Sequence, residues 1–251
     1  MKRWLISIPL MTFSTVLWAE DIPATLQWSQ RVELSTPVSG VVRSVDVEVG
    51  DLVKKGQILL SLDNTMFTAR VTESQSEIIR LKAEMEEAQR ELERMQGLYE
   101  RTVVAATDLD QTRLKLTTSR ASLAEAEARL KLNQKILDDS SIRAPFDAIV
   151  ILRQAEPGMS IAIGLQPQTL LTVARSGQMI ARMYLSSAQL DKMKIGLQVT
   201  VKARDASYSG KIKTMAVEPI RLKEDWLYPV DVLFPVGKLL RAGMPATVIT
   251  K

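Results

Sequence analysis

The chain has 251 residues, enough for one large or two to three small domains. It contains neither Cys nor His, which excludes thiol chemistry, imidazole acid–base catalysis and Cys or His metal ligation. The formal net charge of +4 comes from interleaved basic and acidic residues, so no basic face for nucleic acid is expected.

At the N-terminus Lys2 and Arg3 precede an apolar run from Trp4 to Trp18, the charged and apolar regions of a secretory signal. The run is short for a membrane span and contains Pro9, so residues 1–19 are expected to be removed after Ala19, with a retained anchor as the alternative. No Cys follows the run, which excludes a cysteine-linked lipid anchor. No later segment approaches the length of an apolar span. The exported chain is therefore expected to be soluble and to reach membranes only through partners.

Glu20 to Gln30 carries little signal beyond a loop and a short strand. From Arg31 the pattern changes to short Val- and Leu-rich runs punctuated by glycine. Val45, Val47 and Val49 alternate at period two and close on Gly50-Asp51, which predicts a strand and a tight turn. The same pattern returns later: Pro37 matches Pro145, Val41-Val42 match Ile149-Val150, Gly50 matches Gly158 and Gly56 matches Gly164, all at an offset of 108. Leu59-Leu60-Ser61-Leu62 finds its counterpart in Leu170-Leu171-Thr172-Val173 after a slip of about three residues near Gln166 to Gln168. Two such halves, at 20–64 and 140–174, are each too small to bury a core alone and are expected to pack on one another.

Between the halves, residues 65–139 read as a helical hairpin. Val71, Ser74, Ile78, Leu81, Met85, Ala88, Leu92, Met95 and Tyr99 form a heptad seam on the first arm. Leu109, Leu116, Leu123, Leu130 and Leu137, interleaved with Thr112, Ser119, Ala126 and Asn133, form the second. Glu100 to Asp108 is expected to be the turn, with Thr107-Asp108 as breakers. Arms of about 30 residues reach roughly 45 Å. Residues 175–251 predict a small β-barrel: strands at Met179 to Leu185, Gln198 to Ala203, Tyr208 to Val217, Trp226 to Phe234 and Met244 to Thr250, with a short helix opened by Ser186 or Ser187.

This order of strand half, helical hairpin, strand half and barrel resembles the periplasmic adaptor, or membrane fusion protein, family of Gram-negative tripartite efflux pumps. The residues that carry the resemblance are Val38-Ser39-Gly40-Val41-Val42, the run Gly50 to Leu59, Leu62-Asp63, Ile142 to Asp147, Pro157-Gly158 and Gly243-Met244. It implies a mainly β fold with an inserted coiled-coil hairpin: a split lipoyl-like barrel-sandwich hybrid plus a small β-barrel. It also implies multidrug efflux of the resistance-nodulation-division type, without catalysis or cofactor. An inner-membrane efflux transporter and an outer-membrane channel are the implied partners, with self-association into a hexameric ring. The chain looks like a short member of the family. Members that dock on the best-known outer-membrane channels carry Arg, Leu, Ser and Asp at set spacings around the hairpin tip. Here those positions read Arg94, Leu98, Ala105 and Asp110, so the Ser is missing. Arg94 and Asp110 are expected to make charged hydrogen bonds across the tip or to the channel. Lys54 and Lys55 are read as a solvated turn or as a contact to a neighbouring subunit or the transporter.

Rival readings rest on single features. Lipoyl-like halves suggest a lipoate or biotin carrier, but the junction that would bear the modified Lys is filled by the hairpin. Eleven Met residues raise soft-metal export, yet Met85 and Met95 fall on the seam and Met179, Met183, Met193 and Met215 form no dense cluster, so core filling is favoured. A protein or peptide secretion adaptor is the alternative from another class; arms of this length favour efflux. Trp28 and Trp226 are expected to fill cores or lie at domain junctions.

Overall fold

The computed structural model describes residues 20–164 and 167–250. The expected signal at 1–19 and part of the repeat slip, at 165 and 166, lie outside the described residues. In chain order the elements are β1 (Glu20–Trp28), β2 (Arg31–Leu34), β3 (Gly40–Val45), β4 (Leu52–Val53), β5 (Ile58–Leu62), α1 (Thr65–Glu100), α2 (Ala106–Asp139), β6 (Ser141–Arg143), β7 (Ala148–Arg153), β8 (Ser160–Ile161) and β9 (Leu171–Arg175). They continue with β10 (Gln178–Leu185), α3 (Ser187–Leu190), β11 (Gln198–Ala203), β12 (Ala206–Met215), β13 (Ile220–Leu222), β14 (Asp225–Pro235) and β15 (Pro245–Thr250). Two compact units result: Arg31–Ala174, and the remaining N-terminal and C-terminal stretches together.

In the first unit the strand halves form two four-stranded sheets, ordered β2-β9-β7-β4 and β6-β5-β3-β8. Adding 108 to β3 gives β7, and adding 108 to β4 gives β8, residue for residue. The hydrogen bonds repeat with the sequence. Gly50 N–H donates to the Val150 carbonyl at 2.8 Å, and its counterpart Gly158 N–H donates to the Val42 carbonyl at 2.8 Å. Asp46 N–H reaches the Leu59 carbonyl and Gln154 N–H the Leu170 carbonyl, each at 2.9 Å, which fixes the last strand of the repeat at an offset of 111. Leu34 lies opposite Leu171 as Ile142 lies opposite Leu60. Each sheet thus takes strands from both halves, and their inner faces share one core that includes Val42, Leu59, Leu60, Phe146, Val150 and Leu171. About 30 residues bury too little apolar surface to fold independently, and the exchange of strands is the remedy.

The second unit is a closed six-stranded antiparallel barrel. The pairings run β10-β1-β15-β11-β12-β14 and return from β14 to β10, while β13 pairs only with the extension of β14. Closure leaves those six strands without a free edge. Its interior holds Leu26, Met179, Met183, Leu185, Val201, Val232 and Phe234. The stretch before Gln30, weak in the sequence, is a nine-residue strand. Ile22, Ala24 and Leu26 point inward at period two and are buried. Pro23 masked this pattern, because proline in a strand hydrogen-bonded on both sides argues against a central strand. The short helix opens as expected: Ser186 is its N-cap, with a reciprocal capping box to Gln189. Strand β13 was missed, its three residues being too few for a periodic signal.

Gly50 and Gly158 hold equivalent turns with φ of +103° and +87°. Open space surrounds the missing Cβ at both, so the conformation and not crowding requires glycine. Gly50→Ala and Gly158→Ala are expected to lower unfolding stability by similar amounts, about 1 kcal/mol each, in urea titrations. A cost at one site alone contradicts their equivalence.

Candidate docking site at the hairpin

The hairpin grows from two neighbouring strands. β5 leads into α1 and β6 follows α2, and Ser61 lies opposite Ser141 in the ladder between them. Leu62 N–H donates to the Ser140 carbonyl and Asp63 N–H to the Val41 carbonyl, both at 2.8 Å. The Thr36 hydroxyl donates to the Asp139 carbonyl at 3.0 Å. These bonds tie both ends of the hairpin to the sheet. Asp63 adds a turn at the start of α1, accepting from the Thr65 hydroxyl at 2.7 Å and the Thr65 amide at 3.0 Å. The hydroxyl first, then the amide, holds the Asp63 carboxyl below its usual pKa.

Along the arms the heptad reading is borne out. Ser74, Leu81 and Ala88 on α1 and Leu109, Thr112, Leu116 and Ala126 on α2 are buried, with the intervening seam residues half-buried. Tyr99 is the exception at 43% exposure, because the seam has ended by the last turn of α1. Three of the polar residues inside the seam make hydrogen bonds: Asn133 Nδ2 donates to Ser74 Oγ at 2.8 Å, and the Thr112 hydroxyl donates to the Asp108 carbonyl at 2.9 Å. The half-buried Asn133 on the buried Ser74 fixes the register of the arms, since a slip would leave both groups unpaired. Arg120 bonds Gln89 across the arms at 2.8 Å. The outer faces carry ion pairs within each helix, including Arg80 with Glu77 and Glu84, Arg90 with Glu87, and Arg129 with Glu125. Hydrogen bonds from Arg80 and Arg90 hold the Glu77 and Glu87 carboxyls below their usual pKa.

The tip is tighter than the sequence implied. Helix α1 runs to Glu100 and α2 begins at Ala106, so residues 101–105 make the whole turn. Thr107 and Asp108 are not breakers but the first turn of α2, where an acidic side chain favours the helix dipole. Thr102 adopts φ +61°, and Val103 N–H closes on the Leu98 carbonyl at 3.0 Å. Leu98 is half-buried, while Val103 is exposed beside it. Arg94 and Asp110 do not meet across the tip. Arg94 Nη2 donates to Glu91 at 2.6 and 2.7 Å, and Asp110 accepts from Arg113 at 3.1 Å, each within its own helix. Spacing of three residues on one helix turn satisfies them locally. Ala105 occupies the N-cap of α2, with φ −76° and ψ 155°, and offers no side-chain cap. The residue type missing from the tip motif is therefore also the residue type that caps a helix best.

Other candidates settle by placement. Lys54 Nζ pairs with Asp147 at 3.3 Å with both side chains exposed, and the Lys55 amide donates to the same carboxylate at 2.9 Å. Asp147 thus clamps the first-half turn against the second half, and the Lys55 side chain stays exposed. Met179, Met183 and Met193 are buried in the barrel core, with Met215 packed against it, so their thioethers serve packing. Trp28 also packs on that core. Trp226 does not: it is 63% exposed. Among the described residues no group of three or more Asp or Glu could hold a metal ion, and no helix is long and apolar enough to cross a membrane.

A two-fold hybrid of exchanged strands bearing a long antiparallel hairpin, with a separate closed barrel, defines an adaptor-type architecture. The family model for the CzcB-like barrel-sandwich hybrid domain matches residues 30–175, and the chain belongs to that family. Among curated relatives, the macrolide export protein MacA of Yersinia pestis is 27% identical over 237 residues, covering 87% of this chain and 64% of that protein. The multidrug resistance protein MdtA of Cronobacter turicensis is 27% identical over 225 residues, 84% of this chain and 54% of that protein. The chain thus spans a little over half to two thirds of these relatives. The membrane fusion protein Spr0693 from Streptococcus pneumoniae R6 shares the fold with a TM-score of 0.71 over 92% of this chain and 99% of that one, at 18% identity.

Ala105→Ser supplies the missing cap and is expected to raise the stability of the hairpin by about 1 kcal/mol, read as a higher midpoint in helix-monitored unfolding. The lowered folded pKa values of Asp63, Glu77 and Glu87 give the sign of a pH effect. Their stabilisation is present above the usual carboxylate range and is lost as pH falls through the lower folded values. Circular dichroism melts are expected to hold level from pH 8 to about 5 and then decline below the usual carboxylate range; a midpoint that rises on acidification contradicts the assignment.

Proposed function

We propose that this chain is a periplasmic adaptor that links an inner-membrane efflux transporter to an outer-membrane channel. The observation that carries the reading is the mounting of the hairpin: some 50 Å of paired helix fixed at both ends to a core shared by two strand halves. A lever of that length with no core of its own along its outer faces suits reaching a distant partner. Relatives named for macrolide export and multidrug resistance favour small molecules as the exported class. No seat for the substrate is required on the adaptor, which acts by holding the conduit together.

In this reading the hairpin tip docks on the channel. Leu98 and Val103 provide the apolar contact, and Arg94 and Asp110 exchange their local ion pairs for bonds to the channel. Ala105 removes the hydroxyl that the tip motif usually brings, so the matching channel accepts an apolar group there. The strand halves sit side by side in a ring, six copies being the expected number, with Lys54 and Lys55 exposed for contact to the next copy or the transporter. Energy comes from the transporter.

A photoreactive residue placed at Leu98 in cells tests the docking. Capture of an outer-membrane channel protein is expected, and Leu98→Asp is expected to abolish both the capture and export. Capture of inner-membrane proteins alone overturns tip docking.

A further inference from the structure

One end of the barrel carries an apolar surface that the adaptor role leaves unused. Register places it. Glu20 lies opposite Thr250, and Ala24 lies opposite Met183, so the start of β1 and the Leu185 end of β10 share one end of the barrel. Leu185 lies opposite Tyr228, and β14 continues past that end to pair with β13 as a two-stranded ribbon. Thr200 opposite Ile249 brings the beginning of β11, and the loop holding Ile195, to the same end. β1 finishes at Trp28 and β10 begins at Gln178 at the opposite end of the barrel.

The exposed large apolar side chains of this unit gather there. Ile195 (70%), Val217 (93%), Ile220 (42%), Leu222 (36%) and Trp226 (63%) lie at the Glu20 end, and among the described residues of the barrel only Leu239 lies elsewhere. In the ribbon, Ile220 and Leu222 face one side and Trp226, opposite Arg221, faces the other. A ribbon with an exposed apolar side chain on each face, Trp226 beside Arg221 on one and Ile220 and Leu222 with Asp225 on the other, is poorly served by a flat protein surface, which covers one. It is well served by a medium that surrounds it. The chain itself indicates which: the apolar run Trp4 to Trp18 ends two residues before β1, so export brings this barrel end out beside the bilayer. Lys192, Lys194, Arg221 and Lys223 are balanced by Asp191, Glu218, Glu224 and Asp225, so apolar burial and not anionic attraction drives the contact. The charges at the Lys223-Glu224-Asp225 turn keep the ribbon at headgroup depth, where an indole also sits well.

We propose that the Glu20 end of the barrel rests directly on the lipid bilayer, with the β13–β14 ribbon and Trp226 seated among the headgroups. This contact goes beyond the adaptor reading and is separable from tip docking. The test uses the chain processed after Ala19, which keeps every strand described above and only Trp28 and Trp226 as indoles, with protein-free vesicles of phosphatidylethanolamine and phosphatidylglycerol. In a Trp28→Phe background the chain is expected to float with the vesicles, and Trp226 emission to shift to the blue and be quenched by brominated lipid. Trp226→Ser combined with Ile220→Ser is expected to lower vesicle affinity about tenfold or more. Val217→Ser, outside any strand, is expected to lower it with an unchanged circular dichroism spectrum. No flotation, or flotation unchanged in the double variant, overturns the proposal. So does a photocrosslinker at position 226 that in cells joins protein and never lipid.

Discussion

The structure depends on the exchange of strands between two halves that cannot fold apart. The reciprocal bonds from Gly50 to Val150 and from Gly158 to Val42 are its clearest expression: each half supplies the donor at one site and the acceptor at the other. Everything the hairpin does rests on this. Because β5 and β6 are neighbours in one sheet, one from each half, the two helices start side by side and need no further device to become antiparallel. A hairpin inserted within one half would have disrupted that half's own turn; inserted between the halves, it replaces a connection that the pairing already closes.

The hairpin contrasts with its mount. Its seam mixes leucine with serine, threonine, alanine and asparagine, so it buries less apolar surface per turn than a leucine-only coil. Small residues let the helices approach closely, and the Asn133–Ser74 bond makes one register better than its neighbours. Exposed ion pairs along the outer faces add little individually, on the order of 0.3–0.5 kcal/mol. They keep the outer faces of the arms hydrated, and at the tip Arg94 and Asp110 are held in the same kind of local pair.

Much of this was legible in the sequence, and the failures have identifiable causes. The offset of 108 is an arithmetic property of Pro37, Val41, Gly50 and their partners, and the ladders reproduce it because hydrogen-bond register follows residue count. The heptads were legible for the same reason. Of the two partners expected for Arg94 and Asp110, the across-tip bond is absent, because spacing along the chain says which residues lie near the turn but not which closer partner wins, and Glu91 lies one turn from Arg94. Strand β1 was obscured by Pro23. Residue type alone points Trp226 to a core or a domain junction, but on a cross-strand ribbon that leaves the barrel it is 63% exposed and fills no core.

The pairing of Glu20 with Thr250 has a bearing on how the chain matures. Strand β1 has both its neighbours, β10 and β15, in the last third of the chain, and the first strand half likewise waits for the second. The helical hairpin is built from contacts that can form as the polypeptide arrives, as are the strand pairs β11–β12 and β13–β14, with helix formation far faster than long-range strand pairing. A chain made from its N-terminus thus holds a formed coil while its long-range strand pairs are still open, and both β units close late, the barrel only when residue 250 is available. Until then the chain exposes unpaired strand edges, the segments most prone to pair with other chains, so the interval before closure, and not the finished fold, carries the aggregation hazard.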